Sequence, residues 1–217
     1  MRADDLINIE SSHRAIIIGK TGSGKSVLAR SLLTQYPYVV ALDRKKDFWL
    51  PHARYVSTPE ALFEEEFRIY EPIIYRPDVQ FCNRDDWNRV FQYLYERQNL
   101  TIYVDEVYSI VERGVPPPYY LACITEGRSL NIRTISSSQR PVWIPMVALT
   151  EAEHHVCFKV KKEDDRKIMA DYMGPEVVNP LPKDSKHYFY YVADEEDDPP
   201  RICLLKKPED LNGSGTL

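Results

Sequence analysis

The sequence predicts an α/β domain with a mostly parallel central sheet flanked by helices. Short apolar runs rich in β-branched residues, such as Ala15-Ile16-Ile17-Ile18 and Thr101-Ile102-Tyr103-Val104, are continuous rather than alternating, as strands buried on both faces must be. Segments of helical period separate those runs. The 217 residues, 43% apolar and 28% charged, suffice for one full domain with a real core.

Ala15 to Ile18 is the first strand, ended by Gly19. From Lys25, the apolar residues Val27, Leu28, Leu32 and Leu33 recur with near-helical spacing until Tyr36-Pro37 stops them. Tyr38 to Leu42 and Pro72 to Tyr75 read as the second and third strands. Between Asp85 and Gln98, Trp87, Val90, Phe91, Leu94 and Tyr95 share one helical face, which needs a sheet to cover it. Thr101 to Val104 is the next strand and ends on Asp105 and Glu106. Pro116, Pro117 and Pro118 suit the opening of a helix that runs to about Leu130. Ile132 to Ser138 is a strand ending in Gln139-Arg140-Pro141, and His155 to Val160 is another. A charged helix from Glu163 to Tyr172 is terminated by Gly174-Pro175. Lys186 to Val192 and Arg201 to Leu205 flank an acidic, proline-containing stretch and suit a β-hairpin with a solvated turn. The expected organisation is a main domain over residues 1–180, a hairpin extension over 181–211 and a flexible tail over 212–217.

The formal charge of −5 excludes a surface that is cationic throughout, so any contact with nucleic acid has to be local. The longest uncharged apolar runs fall far short of the roughly 20 residues of a membrane helix, and the N-terminus lacks the apolar segment of a secretory signal. Cys82, Cys123, Cys157 and Cys203 are scattered and form no C-x-x-C pair, which suits thiols of a reducing compartment. A cytoplasmic protein without a membrane span is expected.

The chemistry begins at Gly19-Lys20-Thr21-Gly22-Ser23-Gly24-Lys25-Ser26, which matches G-x-x-x-x-G-K-[ST], the phosphate-binding P-loop, between a strand and a helix. Glycines let successive backbone N–H groups face a phosphate, and the helix that follows adds its positive end. Lys25 then reaches the β- and γ-phosphate oxygens, and the Ser26 hydroxyl holds Mg²⁺. Asp105, at the end of an apolar strand, is the expected second Mg²⁺ contact, through the ion's water shell. Glu106 beside it suits a carboxylate that orients the attacking water and takes its proton. At least one strand, Tyr38 to Leu42 or Pro72 to Tyr75, lies between the P-loop strand and the Asp-Glu strand, an arrangement of ATPases with a catalytic glutamate. No Asn-Lys-x-Asp for guanine selection occurs, so ATP is the expected nucleotide. Gln139 offers a donor and an acceptor for the γ-phosphate or the water, or alternatively a turn hydrogen bond. An arginine at the edge before that strand, Arg128 or Arg133, suits an arginine finger for a neighbouring subunit.

A P-loop, a strand-end Asp-Glu, the run Gly127-Arg128-Ser129-Leu130-Asn131-Ile132 entering a strand and Ser137-Ser138-Gln139-Arg140-Pro141 closing it together resemble the HerA/FtsK superfamily of ring-forming DNA translocases. The match spans about residues 14 to 172, and the chain looks most like the small genome-packaging ATPases of double-stranded DNA viruses and tailed phages. The resemblance implies a RecA-like P-loop fold, Gln139 as polar sensor, Arg128 as the finger acting in trans and Arg133 as the second choice. It also implies ATP-driven movement of double-stranded DNA by a homo-oligomeric ring, pentamer or hexamer, at a viral portal or capsid vertex. Two departures stand out. The Ala41-Leu42-Asp43-Arg44-Lys45-Lys46-Asp47 segment lacks the family's glycine, so Asp43 receives no catalytic role, and the C-terminal hairpin has no counterpart. Candidate DNA contacts are Lys45 and Lys46 beside Arg44, Arg113 in the proline loop, and Lys161 and Lys162, each of which also fits an ordinary solvated edge. His154-His155 fits a structural role. The alternatives are a cellular DNA pump, a small-molecule P-loop kinase, in which Glu106 and Gln139 would be idle, and a nucleotide-gated scaffold.

Overall fold

Neighbouring side chains of a strand point to opposite faces, so the unbroken apolar run of residues 15–18 has to be covered on both sides. The computed structural model describes residues 7–111, 114–181, 187–193 and 199–205. Its strands are β1 (Arg14–Ile18), β2 (Val39–Leu42), β3 (Arg54–Val56), β4 (Ile73–Tyr75), β5 (Leu100–Val104), β6 (Ile132–Ser138), β7 (His154–Phe158), β8 (Tyr188–Ala193) and β9 (Arg201–Leu204). They form one nine-stranded sheet in the order β3-β4-β2-β5-β6-β1-β7-β8-β9. From β3 across to β7 all neighbours are parallel, and β8 and β9 add antiparallel pairs at one edge. The helices are α1 (Lys25–Leu33), α2 (Pro59–Phe63), α3 (Arg84–Arg97), α4 (Pro118–Thr125), α5 (Met146–Thr150) and α6 (Glu163–Met173).

On β1, Ile16 and Ile18 join one apolar layer while Ala15 and Ile17 join the other. The first layer holds Trp87, Val90, Phe91 and Leu94 of α3, the face that the spacing predicts. The second holds Leu28, Ala29, Leu32 and Leu33 of α1. Covered on both faces, the central strands need no polar alternation. The start of α3 is fixed by Asn83, whose Oδ1 accepts from the Asp86 amide at 2.9 Å, and Asp85 and Asp86 complement the positive end of the helix.

The expected strands appear within two residues of their predicted bounds, but their arrangement brings surprises. Along the chain β2 and β4 do lie between β1 and β5, yet across the sheet it is β6 that separates them, and β2 sits beyond β5. Chain order does not dictate sheet order when every link is a crossover. The helix expected to reach Leu130 stops at Thr125 and gives way to a tight 3₁₀ turn over Gly127–Leu130. Here Gly127 is packed so closely that an added Cβ would lie 3.3 Å from the Ile132 Cβ. The edge strand β3 was not expected, because three residues with one buried side chain leave too weak a pattern.

The C-terminal hairpin is part of the same sheet rather than an appendage beginning after residue 180. β8 pairs with β7 over five residues, and Phe189 is fully buried with its ring 4.9 Å from that of Phe158. Residues 182–186, 194–198 and 206–217, which include the acidic turn and the tail, lie outside the described residues, as does Arg113.

At the opposite end of the sheet from the P-loop, β6 begins beside the N-terminal segment. There Arg133 is buried, with Nε donating to the carbonyls of Ile9 at 3.0 Å and Glu10 at 2.8 Å and a terminal nitrogen donating to Thr101 Oγ1 at 2.7 Å. Its guanidinium lies 3.6 Å from the Tyr36 ring centroid. Arg133 is therefore a clasp for the N-terminal segment, and the expectation that it stands second in line as a finger is corrected. Buried and bonded inside the fold through two of its nitrogens, this side chain cannot reach a neighbour.

Two outcomes follow from this packing. Phe189→Ala should destabilise the whole domain by about 3–5 kcal/mol in a single urea transition, because it empties a core site shared with β7. Arg133→Ala should cost about 1–3 kcal/mol through its unsatisfied partners while leaving nucleotide affinity unchanged, as read by urea unfolding and titration with a nucleotide.

Candidate functional site

The parallel strands β1, β2, β5 and β6 all end on the same side, and there the loop of residues 19–24 wraps from β1 into α1. Gly19 has no room for a side chain, since an added Cβ would lie 2.5 Å from Ser23 Oγ and 2.6 Å from the Phe158 Cβ. Gly24 caps α1 at φ 114°, a left-handed conformation that favours glycine. Phe158, His187 and Leu205 crowd the same glycine, so β7 and the terminal hairpin buttress the loop. Beyond it the first amides of α1 have no partner within the helix, which makes this end of the helix a place for anions. Ser23 Oγ is buried without a hydrogen-bond partner among the described residues.

Lys25 is buried, and its Nζ donates to the Gly19 carbonyl at 2.7 Å and lies 3.9 Å from Glu106 Oε1. Burial pushes its pKa below the usual lysine range, opposed by the charges of Glu106 and Asp105. A bound phosphate would favour the charged form again.

The two carboxylates are set by β5 and β6 together. Parallel pairing places Val104 beside Ser136, so the next residue on β6, Ser137, stands level with the acids. Its Oγ donates to Asp105 Oδ1 at 3.1 Å and accepts from the Glu106 amide at 3.2 Å. The Tyr103 hydroxyl adds a second donor to Asp105 Oδ1 at 2.8 Å. Burial raises the pKa of Asp105, against the hydrogen bond from Tyr103. Glu106 adopts φ 61° and ψ 80°, a left-handed conformation that costs a non-glycine residue about 1–3 kcal/mol. This backbone turn keeps the Glu106 carboxylate at the sheet end, where the Gln139 amide donates to Oε2 at 3.2 Å.

Among the expected site residues, Lys25, Asp105, Glu106 and the backbone of Gln139 thus come together. Ser26 is half-buried in the first turn of α1. Lys20 and Thr21 line a cleft of about 470 Å³ beside the loop, shared with Gln139, Arg140, Lys161 and Lys162. Lys161 and Lys162, both exposed, therefore flank the P-loop. Lys45, expected as a DNA contact, instead pairs within the site, its Nζ 3.1 Å from Glu106 Oε1. Lys46 differs from it, half-exposed with Nζ 3.3 Å from Asp78. Arg128 is exposed on the turn before β6. Six steps of strand at about 3.3 Å, some 20 Å in all, separate that end of β6 from the P-loop, so Arg128 cannot act on the nucleotide of its own chain.

Asp43, to which the sequence assigns no catalytic role, has its carboxylate beside the site. Asp43 is fully buried, accepts from the Phe48 amide at 3.0 Å and pairs with Arg76 at 2.9 Å, while its Oδ1 has no partner among the described residues. Oxygens of Asp43, Asp47 and Asp105 lie within 4.8 Å of one another. The packing also explains why Gln139-Arg140-Pro141 and the acidic helix start occur together: Arg140 holds the buried Asp165 of α6 through Nε and a terminal nitrogen, at 3.0 and 2.9 Å. Fixing α6 this way braces the wall of the cleft.

No family model matches the sequence. The chain is 30% identical over 170 residues to the DNA packaging ATPase P9 of Enterobacteria phage PRD1, a match that covers 74% of this chain and 70% of the relative. Among solved structures it is similar to the genome packaging NTPase B204 of Sulfolobus turreted icosahedral virus 2 in complex with AMPPCP, with a TM-score of 0.73 at 13% identity, covering 91% of this chain and 99% of that one. VirB4 of Thermoanaerobacter pseudethanolicus shares the fold at a TM-score of 0.63 and 11% identity, covering 92% of this chain and 91% of that one. With its P-loop and strand-end acids assembled as described, and a relative of this identity and coverage, the chain belongs to the DNA packaging ATPase family that includes P9 of phage PRD1.

Proposed function

We propose that this chain hydrolyses ATP at the ends of β1, β5 and β6, between subunits of a homo-oligomeric ring, and uses the cycle to move double-stranded DNA into a viral capsid. The observation that carries the reading is the meeting of Lys25 and Glu106 across the P-loop, 3.9 Å apart, next to a buried Asp105. A cation that binds phosphate, a carboxylate that prepares water and a second carboxylate with oxygens to spare are the parts that γ-phosphate hydrolysis needs.

The loop amides and the α1 N-terminus bind the β-phosphate, and Lys25 leaves the Gly19 carbonyl for the phosphate oxygens. Glu106, aimed by the Gln139 amide and by its own strained backbone, orients a water and accepts its proton. The Gln139 side chain contacts the γ-phosphate or that water. The oxygen donors of Ser26 and Asp105, with Asp43 and Asp47 nearby, fit Mg²⁺, a hard cation. Held there by Ser26 and Asp105, such an ion would supply positive charge to offset that of the phosphates. Arg128, far from its own nucleotide, serves the site of the adjacent subunit.

DNA is gripped through its phosphates without regard to sequence. Of the lysines proposed for that contact, Lys46, Lys161 and Lys162 are exposed, whereas Lys45 turns in to Glu106. The relative P9 is a DNA packaging ATPase, which favours packaging at a portal or capsid vertex over a cellular pump. Activity is expected in the host cytoplasm and at the procapsid.

Arg128→Ala and Glu106→Gln should each abolish ATP turnover with nucleotide binding kept, the arginine because a finger contributes about 10³ to 10⁵ in rate. Mixing the two inactive proteins completes the interfaces that pair an intact Glu106 with a neighbour's intact Arg128, so part of the ATPase activity, and its stimulation by linear duplex DNA, should return. A mixture that stays inactive, while wild-type subunits diluted into either mutant still turn over, would refute the role in trans.

A further inference from the structure

Lys45 lies on the loop after β2, in a run of three basic residues that reads as a charged edge. The three side chains do different things. A terminal nitrogen of Arg44 donates to the Ser109 carbonyl at 2.9 Å, and Lys46 adopts φ 61° and faces Asp78. Lys45 alone of the three enters the nucleotide site, with Nζ 3.1 Å from Glu106 Oε1, the oxygen that is also 3.9 Å from Lys25 Nζ. Two ammonium groups, one from the start of α1 and one from the loop after β2, converge on one carboxylate oxygen. The Glu106 side chain is 4% exposed and that of Lys45 is 33% exposed, so the lysine reaches inward from the rim over the ring of Tyr108.

This pairing does not suit hydrolysis. The lone pairs of the Glu106 oxygen are turned to the lysine rather than to water. The γ-phosphate of ATP, arriving beside Lys25, carries more negative charge than a carboxylate and would compete for the same ammonium. A flexible four-carbon stem that is partly solvated can follow it.

We propose that Lys45 is a catalytic residue: without nucleotide it neutralises Glu106, and when ATP binds it transfers to a γ-phosphate oxygen, which frees Glu106 for water. The water oxygen then bonds to phosphorus as the bond from phosphorus to the β–γ bridging oxygen breaks. Glu106 takes the water proton, ADP keeps the bridging oxygen, and the proton passes to the released phosphate or to solvent. Lys45 stays protonated throughout and shuttles only its charge. The proposal rests on ATP hydrolysis at this site.

The test compares wild type, Lys45→Met, Lys45→Arg, Glu106→Gln and the Lys45→Met/Glu106→Gln double variant. Each is titrated with ADP and with AMPPCP, and ATP turnover is measured at saturation. Because ADP lacks the γ-phosphate, Lys45→Met should leave ADP affinity within about twofold and weaken AMPPCP by about tenfold or more. Its kcat should fall by about 10²- to 10³-fold, as when one donor to a developing negative charge is removed. Lys45→Arg, which keeps the charge, should recover most of the AMPPCP affinity. In Glu106→Gln the lysine is released in advance, so AMPPCP should bind more tightly than to wild type, and adding Lys45→Met should erase that gain. Unchanged ADP-to-AMPPCP preference in Lys45→Met would overturn the proposal. So would equal loss for both nucleotides, which would make Lys45 a support of the loop, or faster turnover, which would make it a lock alone. If wild type binds both nucleotides and does not hydrolyse ATP, the hydrolytic reading fails, while the affinity comparison still decides the γ-phosphate contact.

Discussion

The site depends on the register between β5 and β6. That register sets Ser137 level with Asp105 and Glu106, where one hydroxyl donates to the first carboxylate and accepts from the backbone of the second. A slip of one residue would send the Ser137 side chain to the other face of the sheet and leave both acids unsupported. The three residues that close β6 are all serines and all buried, an expensive choice for the middle of a sheet unless their hydroxyls are used. Ser136 bonds to Tyr120, Ser137 to the acids, and Ser138 to the backbone of Arg140. The strand is thus an arm that carries polar support from the core out to the cleft.

Around that support the fold holds a dense set of charges on buried carboxylates. Asp43 is matched by Arg76, Asp165 by Arg140, and Glu106 by Lys45 with Lys25 behind it. The first two pairs join separate elements and secure the walls of the site. The third involves groups that an incoming phosphate would claim, and it sits on a residue held in a left-handed conformation. Rigidity is thereby placed around the site and freedom at its centre, as a catalytic cluster has to arrange it.

Much of this was legible in the sequence, and for local reasons. The P-loop is one contiguous motif, and Asp105 and Glu106 follow directly on an apolar strand, so pattern and position coincide. The α3 face could be read because Trp87, Val90, Phe91 and Leu94 keep helical period over several turns. What escaped was set by long-range packing. Nothing local says that β6 inserts between β1 and β5, that residues 188–193 extend the sheet beside the P-loop, or that Arg133 closes over the N-terminal segment. Lys45 and Lys46 are adjacent and identical in kind, and only the geometry sends one to Glu106 and the other to Asp78. The Arg140–Asp165 pair is a middle case: Arg140 belongs to the recognised pattern and Asp165 to the expected charged helix, and the structure shows that the two are joined.

The central claim is that the chemistry at this sheet end drives movement along DNA, and displacement of a third strand annealed to linear duplex DNA reads that movement most directly. Wild-type protein should release the third strand at a rate that needs ATP, is indifferent to the duplex sequence and disappears in Glu106→Gln. ATP hydrolysis stimulated by the same duplex with no release of the third strand would contradict the account.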